Sequence, residues 1–217
     1  VWELKELHPM EQMEQMHEEF ILQQREADDW DFICSLILAH AAPTIAGLKP
    51  ATLMAFSDTG KPLGQLWETH RERFLRDVAP RVRLSYFRMK SVGSSELGLF
   101  YREDLLRQVL SLRRHILFLE RQGIDCSDPW NCLRSIQTQF VRRFPHEIGI
   151  LLGYPLDDVL GFMKYRGKNA LLEGYWKVYR YPRTAAQMFR RFEQSKAIVY
   201  EYFLRKWEEE RVEKNDG

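Results

Sequence analysis

An α+β fold, mostly helical with a small and mainly antiparallel sheet, is predicted by three features of this 217-residue chain. Apolar residues recur at helical spacing over several long segments. Two alternating stretches flank a Gly/Ser turn in the manner of a β-hairpin. No β-α alternation and no internal repeat runs through the chain. With 45% hydrophobic and 13% aromatic residues, the chain can bury one substantial core. A single domain over residues 1–217 is therefore expected, with 208–217 a fraying tail.

The elements follow in order. After Pro9, the residues Met10, Met13, Met16, Phe20 and Ile21 make the apolar stripe of an amphipathic helix. Its methionines suit an adaptable binding face, and a core-facing stripe is the simpler reading. A second helix runs from Asp29 to Ala41, begun by the Asp28-Asp29 cap and stopped by Pro43. Thr44 to Pro50 reads as a loop, Thr52 to Ser57 as a short strand, and Asp58 to Pro62 as a turn. A helix through Leu66, Trp67, Phe74 and Leu75 comes next. Val82, Leu84 and Tyr86, then Leu97, Leu99 and Tyr101, are the arms of a hairpin about Ser91-Val92-Gly93-Ser94-Ser95.

From Glu103 to Gln122, apolar positions 105, 109, 112, 116 and 119 predict one continuous helix stopped by Gly123. Asp128 caps a helix running from Pro129 to Arg143. Between Phe144 and Phe162, two short helical patterns meet at Gly153. Tyr175 to Tyr179 alternates as a strand. Thr184-x-x-Gln187 forms a capping box for a long last helix with Met188, Phe192, Val199, Tyr202 and Phe203 inward.

Composition excludes several classes of function. Lys plus Arg number 32 against 31 Asp plus Glu, so no global field gathers nucleic acid or anionic lipid. The longest apolar run, Phe32 to Ala42, is interrupted by Cys34, Ser35 and His40 and falls short of the roughly 20 residues that span a bilayer. No signal peptide is visible, and a start at Val1 suggests that the natural N-terminus lies upstream. Cys34, Cys126 and Cys132 form no Cys-x-x-Cys pair, and an odd number of thiols argues against a disulfide framework. A cytoplasmic location fits best. Adding His115 to Cys126 and Cys132 matches no common zinc spacing, so buried or incidental thiols are the better reading.

The segment Phe144 to Phe162 holds the sharpest candidate site. Gly149, Gly153, Val159 and Phe162 stand at the packing positions of a helix-turn-helix. The second helix of that motif would present Asp157 and Asp158 to a polyanion, with no Arg, Asn or Gln to read bases, so DNA binding is disfavoured. His146 and Glu147 begin a helix after Pro145, where the dipole lowers a histidine's pKa and suits a general base or metal ligand. The plainer reading has Glu147 complementing the dipole and His146 bonding a loop. His40 shares an apolar face with Ile33, Leu36 and Ile37, as a core histidine would, although Thr44 and Lys49 lie near it in sequence. Tyr175, Trp176 and Lys177 offer aromatic and basic groups on alternating faces, suited to a planar ligand or to a division into core and rim. Gly167-Lys168-Asn169 lacks the rest of a phosphate loop.

Three blocks together resemble an uncharacterised bacterial family, the domain of unknown function numbered 3793. They are His40-Ala-Ala-Pro-Thr-Ile-Ala-Gly-Leu-Lys-Pro50, Phe144 to Phe162, and Gly174-Tyr-Trp-Lys-Val-Tyr179. The likeness extends over nearly the whole chain and implies that the blocks converge on one pocket. It supplies no reaction. The family's first block commonly reads His-Cys-Ala-Pro, whereas this chain has Ala41, so a thiol nucleophile or thiolate ligand is not available at that position.

The leading expectation is a cytoplasmic protein with one pocket for a small anionic or planar ligand or cofactor. The expected lining is His40, Thr44, Lys49, His146, Glu147, Tyr154, Tyr175, Trp176 and Lys177. In an enzymatic version, His146 is acid or base, Glu147 its partner or a metal ligand, and Lys49 the charge stabiliser. The cofactor and any metal remain unknown at this point. A second expectation is a protein-interaction or homo-oligomerising module that uses the methionine-striped first helix and the aromatic last helix.

Overall fold

Three antiparallel strands, β1 (Ala51–Phe56), β2 (Ser85–Val92) and β3 (Ser95–Tyr101), form the main sheet in the order β1-β3-β2. The coordinates are a computed structural model, which describes residues 9–58 and 62–215. The Thr59–Lys61 part of the expected turn lies outside the described residues. β2 and β3 make the expected hairpin, turning at Gly93 with φ 59°, a conformation open to a residue without Cβ. Val82 is not part of it: it closes a 3₁₀ turn, Ala79–Val82, and the left-handed Arg83 separates that turn from the strand.

The sheet is covered on both faces because alternate β3 residues point to opposite sides. Phe100 joins Ile33, Ile37, Phe56, Trp67 and Phe74 under α2 (Asp29–Ile45) and α3 (Leu63–Asp77). Leu99 and Tyr101 face the other way, toward α4 (Glu103–Ser111), α5 (Arg113–Arg121), α6 (Pro129–Gln139), α7 (Ile148–Leu151) and α8 (Leu156–Tyr165). Behind α2, α1 (Pro9–Gln24) and α9 (Pro182–Asn215) pack through Phe20, Tyr200, Phe203 and Trp207. A two-residue hairpin, β4 (Leu172–Glu173) with β5 (Lys177–Val178), lies against the first part of α9. None of the described helices is long and apolar enough to cross a membrane.

Several expected elements change. α2 runs through Pro43 to Ile45, because proline removes one N–H bond near the helix end, while the Ala46 N–H still bonds Ala42 O at 2.9 Å. The helix expected from Glu103 to Gln122 breaks at Leu112, which is extended and exposed. The break gives α4 and α5 separate axes. Leu106 and Leu110, then His115, Phe118 and Leu119, are the buried residues, instead of the single stripe through 105, 109, 112 and 116. α6 stops at Gln139, so Arg143 lies in the turn that follows.

The expected Tyr175–Tyr179 strand shrinks to Lys177–Val178, since the Gly174 N–H turns back onto Trp176 O. α9 begins at Pro182, ahead of the expected Thr184 cap, with proline's fixed φ suited to a first turn. It continues to Asn215. On α9 the inward residue is Tyr200, and Tyr202 points to solvent. On α1, Phe20 is inward and Ile21 is exposed.

Candidate functional site

The α7–α8 corner is built on two close approaches. At Gly153 (φ 81°) an added Cβ would stand 2.6 Å from Pro50 Cδ, and at Gly149 it would stand 2.9 Å from Val159 Cγ2. A side chain at either position would push the helices or the 46–50 loop away. The spacing that resembles a helix-turn-helix therefore reflects packing.

Asp158, in the first turn of α8, faces inward and is almost fully buried. It accepts the Trp176 indole N–H at 2.8 Å and the backbone N–H groups of Tyr179 and Arg180 at 2.7 and 2.9 Å. Three donors compensate the loss of water around a carboxylate. The result fixes the Trp176–Arg180 segment to α8. Asp157 stays at the surface beside Arg180, 3.3 Å away. Neither aspartate thus presents the pair of free charges that the DNA-reader pattern suggested.

Beside this joint is a cavity of about 230 Å³ lined by Phe144, His146, Ile148, Gly149, Tyr154, Asp158, Val159, Phe162, Trp176 and Lys177. Trp176 stacks on Tyr154, with ring centroids 5.1 Å apart. The imidazole of His146 lies between Phe162 and Phe144, at centroid distances of 4.9 and 6.1 Å. It makes no hydrogen bond among the described residues. Lys177 is engaged, donating to Gly167 O at 3.0 Å and pairing with Glu173 at 3.1 Å. The wall is mainly aromatic and aliphatic, and among the described residues the His146 imidazole and the Tyr154 hydroxyl are its polar groups that carry no side-chain hydrogen bond.

The other expected site residues do not line this cavity. Glu147 is fully buried and held by Arg143 through two bonds of 2.7 and 3.1 Å, so it is no partner for His146. Thr44 is buried and shares a 2.9 Å hydrogen bond with Thr52 of β1. Tyr175 faces α9, with its hydroxyl bonded to Glu193 and the Lys196 ammonium 4.7 Å from its ring centre. His40 is exposed near the end of α2. Partial desolvation, then the charges of Lys196 and His17, lower its pKa.

Lys49 sits behind the cavity wall. Its ammonium lies 6.0 Å from the ring centre of Tyr154 and 5.9 Å from that of Phe192, with no carboxylate paired to it among the described residues. Burial, followed by the charge of Lys196, pulls its pKa down to about 8. No group of three or more His, Cys, Asp or Glu side chains able to hold a metal occurs among the described residues.

A family model described as "Protein of unknown function (DUF3793)" matches residues 37–212. The chain belongs to this family. No curated protein and no solved structure matches it. The three blocks of the DUF3793 resemblance do meet in space, although not in one cavity. The second and third share it through His146, Tyr154, Trp176 and Lys177, whereas the first supports it from behind through Lys49 and Pro50. Ala41, at the position where the resemblance implies a cysteine, is fully buried in the cluster of α2, α3 and β1. A thiol there would point into the apolar core and away from this cavity.

Phe144, Phe162 and Asp158 were not among the expected site residues. The aromatic pair was visible only as the ends of the middle block. Asp158 gave no local signal, because its donors stand 18 to 22 residues later in the chain.

Proposed function

We propose that the cavity between the α7–α8 corner and β5 binds a small, planar and mainly apolar ligand, with His146 as its polar contact. The observation that carries this reading is the exposed His146 imidazole, without a hydrogen-bond partner among the described residues, set between Phe144 and Phe162 in a mainly aromatic and aliphatic lining. Rings on the wall favour a flat π-face, and an imidazole ring nitrogen can make one hydrogen bond to a ligand. The anionic alternative has less support, since Lys177 is already engaged by Glu173 and Gly167. So has the enzymatic version: Glu147 is tied to Arg143 and Lys49 stands outside the lining.

The test is thermal denaturation with a panel of one- and two-ring aromatics, including indole, benzoate and nicotinate, alongside divalent metals. At least one aromatic should raise Tm in the native protein and fail to do so in Phe162→Ala and His146→Ala. No shift from any member at millimolar concentration would contradict the proposal.

A second reading, an interaction surface, rests on the outer side of α9, where Ile198 and Tyr202 are 69% and 63% exposed. The methionine face of α1 supports it less, because Met16 packs into the α1–α9 cluster. Light scattering across a concentration series separates the two. A concentration-dependent mass that Tyr202→Glu abolishes supports association through α9, and a constant monomer mass contradicts it.

A further inference from the structure

Cys126 and Cys132 have their sulfurs 3.0 Å apart, across the junction between α5 and α6. Cys126 lies in the short connection after Gly123, and Cys132 sits one turn into α6. The connection is well braced. Ser127 N–H bonds Asp125 at 2.9 Å, Asn131 bonds Ser127 Oγ at 3.0 Å, and Asp128 caps α6 by accepting from Trp130 and Asn131 N–H at 2.7 and 3.1 Å. The sulfurs are thus presented to each other by a folded loop. Their exposures differ: Cys132 is fully buried, whereas Cys126 is partly accessible.

We propose that Cys126 and Cys132 are a reversible oxidation site, closed to a disulfide by a hydroperoxide such as hydrogen peroxide. The accessible Cys126 reacts first as the thiolate. Its sulfur attacks one peroxide oxygen, the S–O bond forms, the O–O bond breaks, and the departing hydroxide takes a proton to become water. Cys132 then attacks the Cys126 sulfur. The S–S bond forms, the S–O bond breaks, and the hydroxide released takes up the Cys132 proton as a second water. Two thiols are oxidised while one peroxide is reduced to two waters.

Two features support the order. The thiol of Cys132 can donate to the Cys126 thiolate, and this lowers the Cys126 pKa while raising that of Cys132. The third thiol is an internal control: Cys34 is 5% exposed, is bonded to no sulfur among the described residues, and has its pKa pushed up to about 12 by burial and Asp31.

Trypsin places both residues on one peptide, Gln122 to Arg134. The reduced native protein should be treated with one equivalent of hydrogen peroxide, quenched with catalase, denatured, alkylated and digested. The expected product is that peptide, unalkylated and lighter by two hydrogens, formed roughly tenfold faster than Cys34 reacts. Dithiothreitol should reverse it. In Cys132→Ser, Cys126 should accumulate as a sulfenic acid that dimedone traps. In Cys126→Ser, Cys132 should react as slowly as Cys34. Reduced thiols at 126 and 132, equal reaction at Cys34, or passage of Cys126 to sulfinic acid without the internal bond would each overturn the proposal.

Discussion

Trp67 and Trp176 are anchored by the same device, an indole N–H donated to a buried carboxylate, yet only Trp176 borders a cavity. Glu96 accepts from Trp67 at 2.6 Å and from the Tyr86 hydroxyl, and it pairs with Arg71 and Arg88 at 3.2 and 2.6 Å. Phe56 stacks on Trp67 at 4.6 Å, while Phe74, Tyr86 and Phe100 meet it edge-on, so its surroundings are filled. Trp176 has Tyr154 on one face and Phe189 at its edge, with the cavity occupying what remains. A carboxylate–indole bond can therefore lock a core or hold a wall beside open space. What decides between them is whether neighbouring rings close around the indole.

The largest expected effect is at the filled joint. Glu96→Ala should lose about 4 kcal/mol in urea unfolding, because the buried Trp67 N–H, the partly buried Tyr86 hydroxyl and two arginines lose their acceptor. The indole N–H resonance of Trp67 should move and that of Trp176 should stay. Asp158→Ala should cost somewhat less, about 3 kcal/mol, with three N–H donors left unsatisfied. There the Trp176 resonance should move, together with loss of any ligand-dependent rise in Tm. If either variant perturbs both indoles equally, the two joints are not independent and the contrast fails.

Lys49 sharpens the difference, since it is a buried charge on the cavity side with no carboxylate partner among the described residues. Its folded pKa of about 8 lies below the ordinary 10.5, so the unfolded chain binds the extra proton between those values. Its contribution to stability therefore rises as pH increases from about 8 to 10.5 and is unfavourable in full below pH 8. Lys49→Met should stabilise the protein by roughly 2 kcal/mol at pH 7, with the gain vanishing above pH 10.5. Urea midpoints across pH, wild type against variant, would check this. The smallest effect is at the cavity wall itself. Phe162→Ala should cost about 1 kcal/mol, because that ring is only partly buried, and it should remove ligand binding while leaving the Trp67 resonance unchanged.

What could be read from the chain follows from how local each signal is. Asp28 and Asp128 were legible as caps, and Ser91 to Ser95 as a turn, because a cap or a tight turn acts over three or four residues. The break at Leu112 was not, since the interrupted 103–122 stripe still matched a helical period and only the packing of α4 and α5 distinguishes two axes from one. In the candidate site, His146, Tyr154, Trp176 and Lys177 were legible as residue types and are brought together. Glu147 was read as the neighbour of His146, whereas its true partner, Arg143, precedes it in the turn after α6. Asp158 was read as facing outward because the helix-turn-helix spacing makes its helix the one presented to a polyanion. Its role depends on a segment some twenty residues further on.

On the proposed reading, the space beside Trp176 is a binding site and the filled surroundings of Trp67 are its closed counterpart. The most direct measurement is a nuclear magnetic resonance titration of the aromatic panel, following both indole N–H resonances and the His146 ring. At least one compound should shift Trp176 and His146 saturably, with Trp67 unmoved and the response absent in His146→Ala. No saturable shift at Trp176 from any compound, or equal shifts at both indoles, would contradict the account.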